Sequence, residues 1–104
     1  MLKAKRGEVW LADLGLAAKV RPVLVLSVEY EEDERAVVTF VTRTTTVRDT
    51  KYEVPHRAWG EADGAFDAQG IGTLPDVKLE RRLGVVDAPT LRQVERAVRA
   101  WLAL

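Results

Sequence analysis

One run of residues, Pro22-Val23-Leu24-Val25-Leu26-Ser27-Val28, is almost entirely apolar. An uninterrupted apolar run of this kind is typical of a strand that is covered on both faces. Pro22 suits the first position of such a strand, where no ladder hydrogen bond has to be donated. The run therefore predicts a buried β-strand, and the other elements can be placed outward from it.

Further strands are predicted before and after this run, from stretches rich in β-branched and aromatic residues. In chain order they are Glu8–Leu14, Ala36–Thr42, Tyr52–Val54 and Ile71–Leu74. We expect Pro55 and Pro75 to end the last two of these strands. Residues 57–70 predict a loop that contains a brief strand, and Val77–Arg82 predicts one or two helical turns.

The C-terminal segment carries the clearest helix signal. Asp87 is a suitable N-cap, and Pro89 lies in the first turn, where its missing N–H costs little. One apolar stripe follows, with members spaced three, four and three residues apart: Leu91, Val94, Val98 and Trp101. Strands followed by a terminal helix, with short turns between them, indicate a small barrel or a strongly coiled sheet.

The composition limits the class of protein. A chain of 104 residues, of which 47% are hydrophobic and 31% charged, fits one domain over residues 1–104. The sequence has no cysteine for disulfides or thiolate metal sites, and a single histidine, His56, excludes the usual histidine-rich zinc arrangements. The N-terminal residues do not form a signal peptide, and no segment approaches the roughly 20 apolar residues of a membrane span, which indicates a cytoplasmic protein with no membrane partner. Sixteen basic and sixteen acidic residues cancel, so net charge does not itself indicate a nucleic-acid partner.

Several motifs resemble the MazF/PemK family of toxins. The first two are a basic-Gly-acidic strand start and an Arg-Pro pair that leads into a hydrophobic strand ending in serine. A threonine-rich strand, a Glu-Val-Pro segment and the approach to the last helix are similar to that family as well. The matching stretches are residues 6–10, 21–27, 41–48, 53–55 and 83–87. The resemblance spans nearly the whole chain, with residues 57–76 as the exception.

This resemblance implies a fold, an activity and partners. The implied fold is mostly β (α+β), a small closed SH3-like barrel of the CcdB–MazF type with a C-terminal α-helix. The implied activity is that of a homodimeric toxin of a type II toxin–antitoxin system. Such a toxin cuts single-stranded RNA (mRNA) without metal or other cofactor and leaves a 2′,3′-cyclic phosphate and a 5′-hydroxyl. The implied partner is an antitoxin whose acidic, disordered segment covers the groove at Arg21, because carboxylates can occupy phosphate positions.

The implied reaction needs a phosphate-binding cation and a hydroxyl donor. Arg21 is the first candidate, because its planar guanidinium can donate to two phosphate oxygens at once. A group that keeps its proton beyond about pH 12 suits charge stabilisation better than proton removal. The hydroxyl belongs to Thr42 when the family motif is counted forward from the preceding strand, and to Thr44 when it is counted back from Glu53-Val54. Residues two apart on a strand share a face, so either threonine can meet Arg21.

Other residues are candidates for contacting RNA. The basic ones expected to line a groove are Arg43, Arg48, Lys51 and Arg57. The aromatic ones available for base stacking are Trp10, Tyr52 and Trp59. His56 joins this RNA-binding set, and it is the only side chain whose unperturbed pKa suits proton transfer near neutral pH.

The sequence differs from many members of the family in two places, and two other functions stay open at this point. The loop before Arg21 is shorter than in many relatives, and the later strand offers Asp67 but no arginine, which affects substrate specificity. One alternative function is a non-catalytic toxin of the same fold that binds DNA gyrase, with Trp101 on the terminal helix as its focus. The other is a catalytically silent binding domain.

Overall fold

The protein, seen in a computed structural model, consists of six strands and one long helix, and the structure describes residues 3–15, 17, 19–57 and 62–104. The elements are β1 (Glu8–Asp13), β2 (Val20–Val25), β3 (Val37–Thr44), β4 (Glu53–His56), β5 (Gly64–Pro75), β6 (Leu79–Val85) and α1 (Ala88–Leu102). A 3-10 turn, Asp76–Lys78, separates β5 from β6. The predicted fold class, mostly β with a C-terminal helix, is confirmed.

All six strands belong to one antiparallel sheet with the order β4-β5-β3-β2-β1-β6. β4 and β6 are its edge strands, and within the described residues they do not pair with each other. The sheet is therefore open, where a closed barrel was expected. β4 continues through Pro55 to His56 and does not end at the proline. An edge strand tolerates proline because one of its two sides has no ladder to complete.

Side chains alternate between the two faces of this sheet, and α1 covers one of them. Val9, Leu24 and Val41 are aligned across β1, β2 and β3, and they pack with Phe66 of β5 and Val94 of α1. All five side chains are fully buried. Burial of each stabilises the fold by about 1.5–3 kcal/mol. This helix-covered core anchors the middle of every strand that carries the candidate site.

The opposite face has a smaller core of its own. Ala12, Val23, Phe40 and Leu74 are buried together there, and half-buried Trp10 packs against them. The residues that continue β2 and β3 beyond this core are polar, so the same face changes from an apolar patch to a polar surface along its length.

Helix α1 begins as predicted. The Asp87 carboxylate accepts the N–H of Thr90 at 2.8 Å, which confirms Asp87 as the N-cap. Val94 is buried against the sheet, whereas Trp101 near the last turn stays 42% exposed and meets the ring of Tyr52 edge-on, with centroids 5.2 Å apart. No helix in the described part of the chain has the length and apolar character needed to span a bilayer.

The segment after residue 57 departs most from the sequence prediction. β5 is a single twelve-residue strand that includes most of the predicted loop. Val77–Arg82 was expected to be helical, but apart from the short 3-10 turn it belongs to β6. Leu79 packs on the core opposite α1, while Leu83 packs on the helix-covered core. A short helix would place Leu79 and Leu83 on one side, whereas a bulged strand lets them pack on different cores.

Candidate functional site

The sheet places a row of side chains across four strands on the face opposite α1. Val23 in β2, Thr42 in β3, Asp67 in β5 and Glu53 in β4 are directly opposite one another in successive pairings. Directly opposed residues lie on the same face, and so does Arg21, which is two residues before Val23. The fold therefore brings a guanidinium, a threonine hydroxyl and two carboxylates to one surface.

Arg21 lies near the start of β2, half-buried, and is paired with Ala12 of β1. Its Nη2 donates to the carbonyl oxygen of Arg43 at 3.5 Å, which is a long hydrogen bond. The pairing of β2 with β3 ends at Val23 and Thr42, so this contact links the two strands just beyond their ladder. A guanidinium has five N–H donors, so this one contact within the described residues leaves capacity for a phosphate.

Thr42 is half-buried beside an irregularity in β5. The register of β3 against β5 shifts between Phe40 and Thr42, because β5 contains extra residues at that point. A Cβ built at Gly70 would lie 2.2 Å from Thr42 Oγ1, so the glycine leaves room for this hydroxyl. The sequence motifs did not identify Gly70, since the register shift depends on a pairing that is distant along the chain.

Thr44, the other candidate threonine, ends β3 and serves the turn that follows. Its Oγ1 accepts the N–H of Thr46 at 3.0 Å and donates to the Thr46 carbonyl oxygen at 3.4 Å. Among the residues that the structure describes, Thr42 has no such hydrogen bond. Thr44 therefore has a structural task, while Thr42 lies within the strand on the same face as Arg21.

Glu53 organises the loop between β3 and β4. Its carboxylate accepts the N–H of Thr50 at 2.9 Å and that of Arg48 at 3.1 Å. These bonds, that of Thr50 first, hold the pKa of Glu53 below its usual value. The loop carries the exposed Arg48 to a polar cleft of about 230 Å³, which Thr44 and Asp67 also line. The sequence motif contained Glu53 but did not reveal that it anchors the loop.

Arg43 and His56, both predicted to contact RNA, lie on the face of the sheet opposite Arg21 and Thr42. Arg43 is 3% exposed, and its Nε donates to His56 Nδ1 at 3.0 Å. Its Nη2 donates to the carbonyl oxygens of His56 at 2.9 Å and Ala62 at 2.6 Å. The His56 ring packs on Phe66, with centroids 4.5 Å apart. Burial, followed by the charge of Arg43, lowers the pKa of His56, and the charge of Asp87 opposes this shift.

The remaining basic candidates are exposed but are not all at the cleft. Lys51 follows Arg48 in the same loop, and its ammonium lies 5.2 Å from the centre of the Tyr52 ring. Arg57 forms an exposed ion pair with Asp63 at 3.2 Å. It also lines a separate cleft with His56 on the helix side. Arg48 shares its cleft with Asp67, the partner of Thr42 in β5, and a direct RNA contact by Arg48, Lys51 or Arg57 stays a prediction.

The aromatic candidates for base stacking have different environments. Trp10 packs against buried residues of the face opposite α1, and its Nε1 donates to Glu8 at 3.1 Å, so it is a core residue. Tyr52 contacts Trp101 of α1 and lies outside the row of Arg21 and Thr42. Trp59 falls outside the described residues.

Residues 5–102 match the model of one protein family, the PemK-like, MazF-like toxins of type II toxin–antitoxin systems. The chain belongs to this family. The matched range includes residues 57–76, which the sequence motifs had left unsupported. The suspected MazF/PemK resemblance is thereby confirmed.

Solved structures of MazF-like toxins are similar over nearly the full chain. An endoribonuclease from a mycobacterial species, solved with its cognate antitoxin, is 30% identical, with 97% of this chain and 96% of that chain covered and a TM-score of 0.83. Toxin MazF-mt6 of Mycobacterium tuberculosis is 28% identical, with coverages of 93% and 97% and a TM-score of 0.81. MazF of Deinococcus radiodurans, at 22% identity, full coverage of both chains and a TM-score of 0.83, shares the fold. These comparisons favour the nuclease hypothesis and do not support the gyrase-binding alternative.

Proposed function

We propose that this MazF-like toxin is an endoribonuclease that cleaves single-stranded RNA, including mRNA, at the face formed by Arg21, Thr42 and the β3–β4 loop. The observation that carries the proposal is the shared face of Arg21 and Thr42, together with a polar cleft that is lined by the exposed Arg48 and by Asp67, the partner of Thr42 in β5. A cation and a hydroxyl on neighbouring strands form a suitable cradle for one phosphate group. The similarity to proteins named as endoribonucleases supports the same activity.

The proposed reaction is a transesterification within the RNA. The 2′-oxygen loses its proton and attacks the adjacent phosphorus, and the 5′-oxygen leaves with a proton, which gives a 2′,3′-cyclic phosphate and a 5′-hydroxyl. Negative charge grows on the non-bridging oxygens as the phosphorane forms, and the guanidinium of Arg21 stabilises that charge. Because a guanidinium stays protonated near neutral pH, Arg21 acts electrostatically and does not remove the 2′-proton. The proposed steps use no metal or cofactor.

Thr42 is the proposed hydroxyl donor to a phosphate oxygen, and Thr44 is the proposed organiser of the turn. The hydrogen bonds of Thr44 with Thr46 support this division, because they occupy the Thr44 hydroxyl. The space that Gly70 leaves next to Thr42 Oγ1 supports it as well.

The proposed setting is a cytoplasmic homodimer held inactive by an antitoxin. An antitoxin segment that is acidic and disordered would place carboxylates where the RNA phosphates bind, with Arg21 and Arg48 as their partners. The mycobacterial relative solved with its cognate antitoxin supports a partner of this kind.

The deciding experiment is cleavage of a long single-stranded RNA by the purified protein in EDTA, with sequencing of the released 5′-hydroxyl ends. Arg21→Ala should lower the cleavage rate by about 100- to 1000-fold, the usual effect of removing a transition-state donor, while the melting temperature stays close to that of wild type. Arg81→Ala is the matched control, because Arg81 is an exposed arginine in the edge strand β6. Full activity of Arg21→Ala would refute the role of Arg21.

A second pair of variants separates the two threonines. Thr42→Val should slow cleavage at saturating RNA by roughly 10- to 100-fold, as expected for a lost hydrogen bond to a charged group. Thr44→Val should mainly lower the melting temperature, because it removes the turn contacts with Thr46. The opposite pattern would assign the catalytic hydroxyl to Thr44.

A further inference from the structure

Arg43 is a buried cation without a carboxylate partner among the described residues. Only 3% of the residue is exposed, although arginine is almost never fully buried unless it is paired. Three uncharged acceptors take its place: the ring nitrogen of His56 and the carbonyl oxygens of His56 and Ala62. Burying a charge is costly unless hydrogen bonds satisfy it. The three hydrogen bonds therefore tie the guanidinium to the backbone segments that supply the acceptors.

The guanidinium joins three separate parts of the chain. It belongs to β3, two of its contacts are to His56 at the end of β4, and the third is to Ala62 just before β5. Gly64 is the first residue of β5, and a Cβ there would lie 3.0 Å from Arg43 Nη1 and 2.5 Å from the carbonyl oxygen of Thr44. The backbone is thus packed closely around the guanidinium, and no side chain at position 64 would allow the same approach.

The backbone of Arg43 faces the candidate active site through its carbonyl oxygen, which accepts the long hydrogen bond from Arg21. At this level the ladder between β2 and β3 has already ended at Val23 and Thr42. What holds the end of β3 is its pairing with β5, at Arg43–Phe66 and Thr44–Ala65, together with the side chain of Arg43. The position of the acceptor for Arg21 therefore depends on contacts made on the opposite face of the sheet.

From this we infer that Arg43 is a positioning residue for RNA cleavage, and that its bond to His56 makes this positioning sensitive to acid. The inference rests on the proposed nuclease function and adds to it a residue that never touches RNA. Arg43 holds the carbonyl oxygen that orients Arg21, and one of the three hydrogen bonds that fix its guanidinium requires a lone pair on His56 Nδ1. A proton on Nδ1 would turn the acceptor into a donor facing another donor, with two positive charges in contact.

The charged groups around His56 set the direction of the pH effect. Arg43 on β3 opposes protonation, Asp87 at the start of α1 favours it, and Arg57 is the next residue in the same cleft. Burial and Arg43 outweigh Asp87, so the pKa of His56 is lowered from its ordinary value of 6.5. The hydrogen bond from Arg43 to His56 Nδ1 is therefore fully formed above pH 6.5, and it is lost as the pH falls through the lowered pKa of His56.

The test measures the rate at which a labelled RNA is cleaved, at saturating and at limiting RNA concentrations, between pH 5 and 8. Arg43→Lys keeps the charge but loses the planar fork, so kcat should fall by about 10- to 100-fold with little change in KM, as expected for a misplaced catalytic group. His56→Asn keeps an acceptor near the position of Nδ1 at every pH. It should retain the wild-type rate above pH 7 and lose the decline in rate that wild type shows in acid.

One control and the melting curves complete this design. Arg81→Lys, an exposed arginine in β6, should leave both the rate and its pH profile unchanged. Wild-type kcat in Arg43→Lys, or an acid decline that persists in His56→Asn, would overturn the inference. If the wild type cleaves no RNA at any pH, the proposed nuclease function fails instead. The melting curves then test the bond between Arg43 and His56 by themselves, because between pH 6.5 and 5 wild type should lose stability that His56→Asn keeps.

Discussion

Replacing Gly64 with alanine tests how tightly the end of β3 is held. The new Cβ would lie 2.5 Å from the carbonyl oxygen of Thr44, a backbone atom that cannot turn away, and 3.0 Å from Arg43 Nη1. Overpacking of this kind costs about 1–3 kcal/mol, and a weakened hydrogen bond from the charged guanidinium adds about 1.5–3 kcal/mol. Alanine also reduces the conformational entropy of the unfolded chain relative to glycine, which stabilises the folded protein by about 0.4–1 kcal/mol. The expected net loss in the free energy of unfolding is about 1.5–5.5 kcal/mol.

Urea unfolding and thermal melting measure this loss directly. For a domain of this size the melting temperature should fall by roughly 6–44 °C. Gly72→Ala is the control in the same strand, because its Cβ would meet a side chain, the tip of the Phe40 ring at 3.1 Å, and no backbone atom. All variants are compared at one protein concentration, since association shifts apparent stability. A Gly64→Ala protein that unfolds within about 1 kcal/mol of Gly72→Ala would refute the close packing around Arg43.

Two further substitutions follow from the site and the helix. Gly70→Ala should displace the Thr42 hydroxyl and slow RNA cleavage by about 10-fold or more while the protein stays folded, and an unchanged rate would argue against Thr42 as the donor. Asp87→Ala should lower the melting temperature near neutral pH, because the N-cap bond to Thr90 is lost. The pKa of Asp87 is lowered, chiefly by Thr90, so its contribution is present above its ordinary pKa of 3.8 and lost as the pH falls through the lowered value. The two melting curves should therefore converge in strong acid, and a constant gap would exclude the charge as the cause.

Much of the fold could be predicted from local patterns. The apolar run after Arg21 and the Asp87-Ala88-Pro89 start of α1 depend on neighbouring residues, and the structure has a strand and a helix there. The long β5 could not be predicted in this way. Its glycines lower strand propensity, and they are present because Thr42, Arg43 and Phe40 approach the backbone from other strands. That requirement appears only once β3 and β5 are paired.

The candidate site was predictable in type but not in detail. The family motif indicated Arg21 and a nearby threonine, and alternation along a strand explains why Thr42 shares a face with Arg21. The same alternation places Arg43, one residue later, on the opposite face. Grouping Arg43 with the RNA-binding residues treated it as an exposed cation, whereas three acceptors from distant positions bury it. The local sequence carries no signal for those acceptors.

The two edge strands of the sheet, β4 and β6, affect how the protein behaves at high concentration. An exposed strand invites a neighbouring chain to add to it, which leads to fibres or precipitates. β4 is only four residues long and contains Pro55, and β6 carries three consecutive charged residues, Glu80, Arg81 and Arg82. Both are poor templates for a foreign strand. The chain can thus leave its sheet open and still resist self-aggregation without a fully closed barrel.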